Sequence, residues 1–126
     1  MTRINVGIPV RSLSGKHLIA EHREIKRIPN IIVSGKAKIK DIPLKFTLGK
    51  GHVKFFYNKC GYLLNRYKLI YLECIERGYK VQNYENAWDK VPKELMGDYN
   101  PSIEDRKLIE QRIKERSVGH LVRPPV

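Results

Sequence analysis

Acidic side chains, cysteines and long apolar runs are all scarce in this chain of 126 residues. Asp and Glu together number 13 against 25 Lys and Arg, which gives a formal net charge of +12. A charge of that size on a small chain favours an acidic partner, nucleic acid first and an anionic membrane second. No apolar run approaches the length of a membrane span, and the N-terminus lacks the apolar region of a signal peptide. These absences predict a soluble, cytoplasmic protein with one domain covering residues 1–126.

The few cysteines and histidines argue against a disulfide and against a structural metal. Cys60 and Cys74 fall on one predicted helix, where the intervening residues span roughly 21 Å, too far for an intramolecular disulfide. The four histidines are not spaced with them in any zinc-binding pattern. We therefore predict that the chain binds no metal and that both cysteines are buried, unreactive side chains.

The spacing of apolar residues predicts an all-α fold, a compact single domain of three helices joined by long loops. The first helix is predicted to begin after Ser12 or Ser14 and to run to about Val33, with a kink or an end at Pro29. The lysine-rich residues 35–52 are predicted to form a loop, with a short strand in the segment LKFTL.

The second and third helices have clear end signals. The second helix is predicted from Val53 to the stop residue Gly78. The third is predicted to begin at Pro101, with Asn100 as its cap, and to run to about Arg116. Residues between these helices are predicted to form a loop.

The segment KHLIAEHREIKRIPN places two carboxylates between the core and a cationic ridge. On a helical wheel His17, Glu21 and Glu24 form one strip beside the apolar face. The strip beyond it is cationic: Lys16, Arg23 and Arg27. A cationic ridge can hold phosphates, whereas a carboxylate behind it repels them, so at least one carboxylate should have another task. Spacing alone favours the alternative that both carboxylates pair with basic residues one helical turn away.

The second residue suggests where a nucleophile could come from. Thr2 is small enough to permit removal of Met1, which would expose an α-amine with a pKa of about 7.7–8.0. Such an amine is substantially unprotonated near neutral pH, and it can attack a sugar carbon and form a Schiff base. Spacing does not say whether this amine lies near Glu24.

Five segments, in this order, carry a resemblance to a known family: MTRIN, HLIAEHRE, LGKGHVKFFYNK, ECIERGY and VPKELMGDYNP. Together they resemble the pyrimidine-dimer DNA glycosylases with abasic-site lyase activity, the phage endonuclease V type, from Met1 to about Arg116. The resemblance implies a compact helical monomer that needs no metal or organic cofactor. It also implies that the partner is damaged double-stranded DNA, kinked and with a nucleotide flipped out, and not a membrane. The expected setting is the nucleoid of a bacterium or of a phage-infected cell.

The resemblance also implies roles for individual residues. The α-amino group of Thr2 is expected to attack C1′ of the damaged nucleotide and form an imine, and Glu24 is expected to assist that step and the β-elimination that cuts the strand. Arg3, Arg23 and Arg27 match phosphate-holding positions, and His17 matches a position near the site. Arg112 and Arg116 match basic positions that contact DNA. Lys16 comes from the cationic strip and His52 from the Gly-rich segment GKGHVKFFYNK, so the complete set of predicted DNA contacts is Arg3, Lys16, His17, Arg23, Arg27, His52, Arg112 and Arg116. Glu21 is expected to form a structural ion pair and His22 to lie on the surface.

The lesion and the function class keep alternatives at this stage. The tail SVGHLVRPPV has no aromatic residue where the phage member has an aromatic cluster, and Lys16 replaces a Gln. Cyclobutane dimers are the predicted target, with another lesion, a modified base or an abasic site as alternatives. A non-catalytic DNA-binding protein on the same scaffold is a second class, and a basic RNA- or ribosome-associated protein is a third.

Overall fold

Helices provide nearly all the regular structure in this computed structural model, which describes residues 2–121 and their side chains as far as Glu115. The α-helices are α1 (Gly15–Glu24), α2 (Arg27–Val33), α3 (His52–Phe55), α4 (Cys60–Glu76) and α5 (Ile103–Leu121). Short 3₁₀ turns occupy Val10–Ser12, Glu85–Trp88 and Lys93–Leu95. Residues 2–121 contain no β-strand, so the all-α prediction is confirmed and the predicted strand in LKFTL is wrong. Among the helices of this described range, none is both long and apolar enough to cross a membrane.

The first predicted helix is two helices, and Pro29 explains the division. Ser14 caps α1, because its hydroxyl accepts a hydrogen bond from the backbone N–H of His17 at 3.2 Å. Pro29 lies inside the first turn of α2, where its missing N–H leaves no helical bond unmade. Its ring would collide with the carbonyl four residues earlier, at Ile25, if the helix were continuous. The chain therefore breaks at Ile25 and Lys26 rather than at Pro29, and Glu24 becomes the last residue of α1.

The second predicted helix is also divided, and the third begins later than predicted. Residues 56–59 form a turn between α3 and α4, and the buried side chains of this turn continue the apolar spacing that suggested one helix. Gly78 has a φ of 82° and ends α4 as predicted. The cap of α5 is Ser102 and not Asn100: its hydroxyl accepts from the N–H of Asp105 at 3.0 Å, and the Asp105 carboxylate accepts from the N–H of Ser102 at 3.2 Å.

The core encloses the N-terminal segment as well as the helices. Ile4 and Val6 are completely buried although residues 2–9 belong to no helix. Cys60 and Cys74 are buried and free, as predicted. Burial of the N-terminal segment fixes the path of the chain that leads back to Thr2.

His22 was predicted to lie on the surface, and this prediction is wrong. The side chain is 3% exposed. Its Nε2 atom lies 2.9 Å from the carbonyl oxygen of Gln82 and 3.0 Å from the hydroxyl of Tyr67. The segment around Gln82 folds back over this face of α1, and a helical wheel contains no information about such a distant segment.

Candidate active site

A small cleft opens where the N-terminal segment, α1 and α5 meet. Its lining consists of Arg3, Asn5, His17, Ala20, Glu21, Glu24, Arg112 and Ile113. Four of these were predicted as site residues from sequence: Arg3, His17, Glu24 and Arg112. The cleft contains about 30 Å³ of open space, which suits a water molecule and not a nucleobase. A group larger than water could therefore bind only at the opening of the cleft.

The bottom of the cleft is a saturated ion pair. The side chain of Glu21 is 0% exposed and pairs with Arg66 of α4. Arg66 donates to Glu21 through both Nε and Nη2, the latter at 3.0 Å, and donates to the carbonyl of Ile8 through Nη1, also at 3.0 Å. Asn5 donates to Glu21 Oε1 at 2.8 Å. The predicted structural ion pair of Glu21 is confirmed, but its partner comes from another helix and not from the next turn of α1.

Glu24 lies at the opening of the cleft and makes fewer contacts. Its side chain is 12% exposed. The oxygen Oε1 accepts a hydrogen bond from the backbone N–H of Arg3 at 3.0 Å. The oxygen Oε2 lies 3.6 Å from a guanidinium nitrogen of Arg23, a loose contact beyond hydrogen-bond range. Glu24 is therefore the cleft carboxylate with an oxygen that a substrate can engage.

The bond between Arg3 and Glu24 also limits where the α-nitrogen of Thr2 can be. Three covalent bonds separate that nitrogen from the backbone nitrogen of Arg3, so the two atoms lie within about 4 Å of each other. Adding the hydrogen bond to Oε1 puts the Thr2 nitrogen within roughly 7 Å of the Glu24 carboxylate. Met1 lies outside the described residues.

The other groups around the cleft are mainly cationic or neutral. Burial, followed by the charges of Lys16, Arg112 and Arg3, lowers the pKa of His17, so this imidazole is neutral at pH 7. Its Nδ1 atom lies 2.8 Å from the hydroxyl of Ser14. Arg112 donates a hydrogen bond from Nη2 to the side-chain oxygen of Asn5 at 3.1 Å. An anion at the opening would meet two guanidinium groups, those of Arg3 and Arg112.

Most of the chain matches a known protein family. A family model described as pyrimidine dimer DNA glycosylase matches residues 1–85. The chain belongs to this family. The match includes the N-terminal segment and helices α1 to α4, so the predicted relationship is confirmed. As a member of the pyrimidine dimer DNA glycosylase family, the chain is a DNA repair glycosylase with DNA as its substrate. Helix α5 lies beyond the matched residues, and its Arg112 joins the site through the hydrogen bond to Asn5.

The remaining predicted DNA contacts of this glycosylase are divided between the surface and the interior. Three of them are exposed along α1 and the start of α2: Lys16, Arg23 and Arg27. Arg23 is next to the cleft, because its guanidinium lies 3.6 Å from Glu24 Oε2. Arg116 belongs to α5, but its side chain lies outside the described part of the chain. Where side chains are described, His, Cys, Asp and Glu form no group of three that could hold a metal ion.

His52 is inside the glycosylase and not on its surface. The residue is 2% exposed, and burial lowers its pKa to about 4. Its Nε2 atom accepts from the backbone N–H of Ile4 at 3.0 Å, and its Nδ1 atom donates to the carbonyl of Thr47 at 2.9 Å. In this position the neutral imidazole holds the N-terminal segment just behind Arg3.

Two residues of the site escaped the sequence reasoning, Asn5 and Arg66. Asn5 belongs to the MTRIN segment but carries no charge, so charge patterns did not reveal it. Arg66 lies between Leu63, Tyr67 and Ile70, all of them buried. An arginine within the apolar face of a helix is a usable signal, because a buried guanidinium needs a buried acidic partner.

Proposed function

We propose that this glycosylase removes a base at cyclobutane pyrimidine dimers through an imine between the α-amine of Thr2 and C1′ of the damaged nucleotide, and then cuts the strand by β-elimination. The hydrogen bond of 3.0 Å from the Arg3 N–H to Glu24 Oε1 is the main support. Through this bond Arg3, the residue that follows the proposed amine, is held against Glu24. Among the described residues, Glu24 is the cleft carboxylate that has an oxygen available to a substrate.

The first step requires a neutral amine, formed when Met1 is removed. The nitrogen lone pair forms a bond to C1′, and the bond from C1′ to the base breaks with its electron pair going to the base. The amine loses a proton and the departing base gains one. The C1′–O4′ bond then breaks, O4′ takes up a proton, and the nitrogen and C1′ form a protonated imine.

The second step requires a base beside C2′. The protonated imine makes the C2′ proton acidic, and the Glu24 carboxylate takes that proton as a general base. The electron pair forms a double bond between C2′ and C3′, and the C3′–O bond breaks with release of the phosphate. Water then hydrolyses the imine and frees the amine.

The basic residues hold the DNA while these steps occur. Arg3 and Arg112 contact phosphates beside the damaged nucleotide, and exposed Lys16, Arg23 and Arg27 extend that surface along α1 and α2. Arg116 follows Arg112 by four residues on α5 and is proposed as a further DNA contact. His52 contributes indirectly, because it fixes the backbone at Ile4 and so the direction in which Arg3 and Thr2 leave the core.

Borohydride trapping tests the proposal on protein whose intact mass shows that Met1 is absent. Three duplexes are compared, one with a thymine dimer, one with an abasic site and one undamaged. We expect a covalent adduct on the first two and none on the third. Glu24→Gln should lose strand cleavage, whereas Glu110→Gln, the same change at an exposed position of α5, should keep it.

Other outcomes separate the parts of the proposal. An adduct on the abasic duplex alone would retain the lyase chemistry and overturn dimer excision. No adduct on either damaged duplex would overturn the imine mechanism. Damage-independent binding without cleavage would then favour a non-catalytic DNA-binding protein.

A further inference from the structure

A chain of contacts links α4 to α5 through the N-terminal segment. Arg66 and Glu21 form the buried ion pair, and Glu21 Oε1 accepts from the side-chain nitrogen of Asn5 at 2.8 Å. The side-chain oxygen of the same amide accepts from Arg112 at 3.1 Å. Asn5 is 5% exposed, so it cannot touch a DNA backbone itself. Both polar atoms of its amide are engaged, the nitrogen with a carboxylate and the oxygen with a guanidinium.

Arg112 needs such a contact to stay at the cleft. Burial and the nearby positive charge of Arg3 both lower its pKa, which means that its charged form is disfavoured in this position. Among the residues whose side chains are described, Asn5 is the hydrogen-bond partner of the Arg112 guanidinium. A guanidinium has five N–H donors, so most of them remain available to an anion at the opening.

The orientation of the Asn5 amide follows from its two neighbours. If the amide were flipped, its oxygen would face the Glu21 carboxylate and its NH₂ group would face Arg112. Both contacts would then be repulsive, because like partial charges would meet. Arg66 holds the Glu21 carboxylate in place through two hydrogen bonds. The ion pair at the bottom of the cleft therefore sets the direction in which Asn5 presents its oxygen to Arg112.

We propose that Asn5 is a positioning residue, which is oriented by the Glu21–Arg66 ion pair and aims Arg112 at a DNA phosphate beside the damaged nucleotide. This inference rests on the proposed function for the place of the damaged nucleotide, but it concerns binding and not the imine. Through Asn5, the buried ion pair thereby determines how Arg112 of α5 contacts a phosphate.

The test measures affinity for a dimer-containing duplex as a function of salt, in a Glu24→Gln background that does not cleave. Losing one phosphate contact lowers the slope of log affinity against log salt by about 0.9. We expect Asn5→Ala to lower the slope by about that amount and to weaken binding about tenfold, although residue 5 is buried and uncharged. Asn65→Ala, the same change at an exposed position of α4, should alter neither quantity.

A double-mutant cycle separates positioning from general destabilisation. Arg112→Ala should give the same two losses as Asn5→Ala, and adding Asn5→Ala to Arg112→Ala should change the affinity less than about twofold. Additive losses, or an unchanged slope for folded Asn5→Ala, would overturn the inference. Borohydride trapping is independent of this result: a protein that forms no imine but shows the predicted slopes would refute the proposed function and support the role of Asn5.

A measurement on the unaltered protein covers the case in which Asn5→Ala does not fold. Nitrogen NMR of arginine side chains reports rotation about the bond between Nε and Cζ. We expect hindered rotation for Arg112 in the free protein and faster rotation for exposed Arg11. Equal rotation in the two residues would overturn the inference.

Discussion

Glu21 and Glu24 lie one turn apart on α1, yet their surroundings differ in almost every respect. Glu21 is sealed from solvent, and its oxygens are occupied by Arg66 and Asn5. Glu24 is partly open, with one oxygen bound to a backbone N–H and the other in a loose contact with Arg23. A carboxylate whose partners all belong to the protein stabilises the fold, whereas one with an unused oxygen can act on a substrate. The difference lies in the partners and not in the residue type.

The largest effect should come from breaking the ion pair of Glu21. Arg66→Met leaves a buried carboxylate without its countercharge, and we expect a loss of about 3–5 kcal/mol in the free energy of unfolding. Urea denaturation followed by circular dichroism measures it. Removing both charges, as Glu21→Gln with Arg66→Met, should cost less than Arg66→Met alone. A single variant as stable as the parent protein would show that the pair is not a structural element.

A second buried group, His52, makes the stability of the core depend on pH. Its imidazole supports the buried N-terminal segment through a hydrogen bond from the N–H of Ile4. Its pKa in the folded protein is about 4, below the ordinary value of 6.5. The unfolded chain therefore binds more protons between these values, and stability must fall as the pH drops from 6.5 towards 4, by about 3 kcal/mol from this group. The lowered pKa values of His17 and His22 act in the same direction.

A substitution isolates the part due to His52. Unfolding free energies of the parent protein and of His52→Gln are compared between pH 7 and pH 4.5. The parent protein should lose more stability over this interval, because the variant has no group at position 52 to protonate. Parallel curves would contradict a buried neutral His52.

Glu24→Gln should show the opposite behaviour to Arg66→Met. Strand cleavage should fall at least about 100-fold, since a general base is lost. The free energy of unfolding should change by less than about 1 kcal/mol, because Gln keeps an oxygen that can accept from the Arg3 N–H. Single-turnover cleavage and urea denaturation measure the two quantities on the same protein. Unchanged cleavage would remove Glu24 from the mechanism.

The smallest effect should come from an ion pair with neither burial nor a catalytic role. Arg106 and Glu110 lie 3.6 Å apart on α5, and Glu110 is 52% exposed. Glu110→Gln should change the free energy of unfolding by less than about 0.5 kcal/mol, because water screens an exposed pair. A loss comparable to that of Arg66→Met would contradict the view that burial distinguishes these pairs.

The sequence predicted the helical class for reasons that the structure confirms. Ser14 caps the start of α1, and Gly78 ends α4 in a left-handed conformation. Both effects depend on neighbouring residues alone, so they could be recognised in the sequence. The strip of His17, Glu21 and Glu24 follows from helical geometry alone. Helix boundaries were less predictable: the turn before α4 keeps the apolar spacing of a helix, and Pro29 acts on the carbonyl four residues before it.

Contacts between distant parts of the chain could not be predicted from spacing. Glu21 pairs with Arg66, 45 positions away, and His22 is covered by the segment around Gln82. His52 was predicted to contact DNA, whereas the structure buries it against the N-terminal segment, where it accepts from the N–H of Ile4. The resemblance already implied separate tasks for Glu21 and Glu24, but the contacts that distinguish the two carboxylates became visible only in the structure.

Locating the trapped adduct tests the central claim most directly. After borohydride trapping on the abasic duplex, proteolysis and tandem mass spectrometry identify the nitrogen that carries the sugar remnant. The remnant should lie on the α-nitrogen of Thr2, the amine that the Arg3–Glu24 hydrogen bond ties to the cleft. A remnant on a lysine side chain, such as Lys16 or Lys26, would contradict the account and assign the nucleophile to α1 or the break after it.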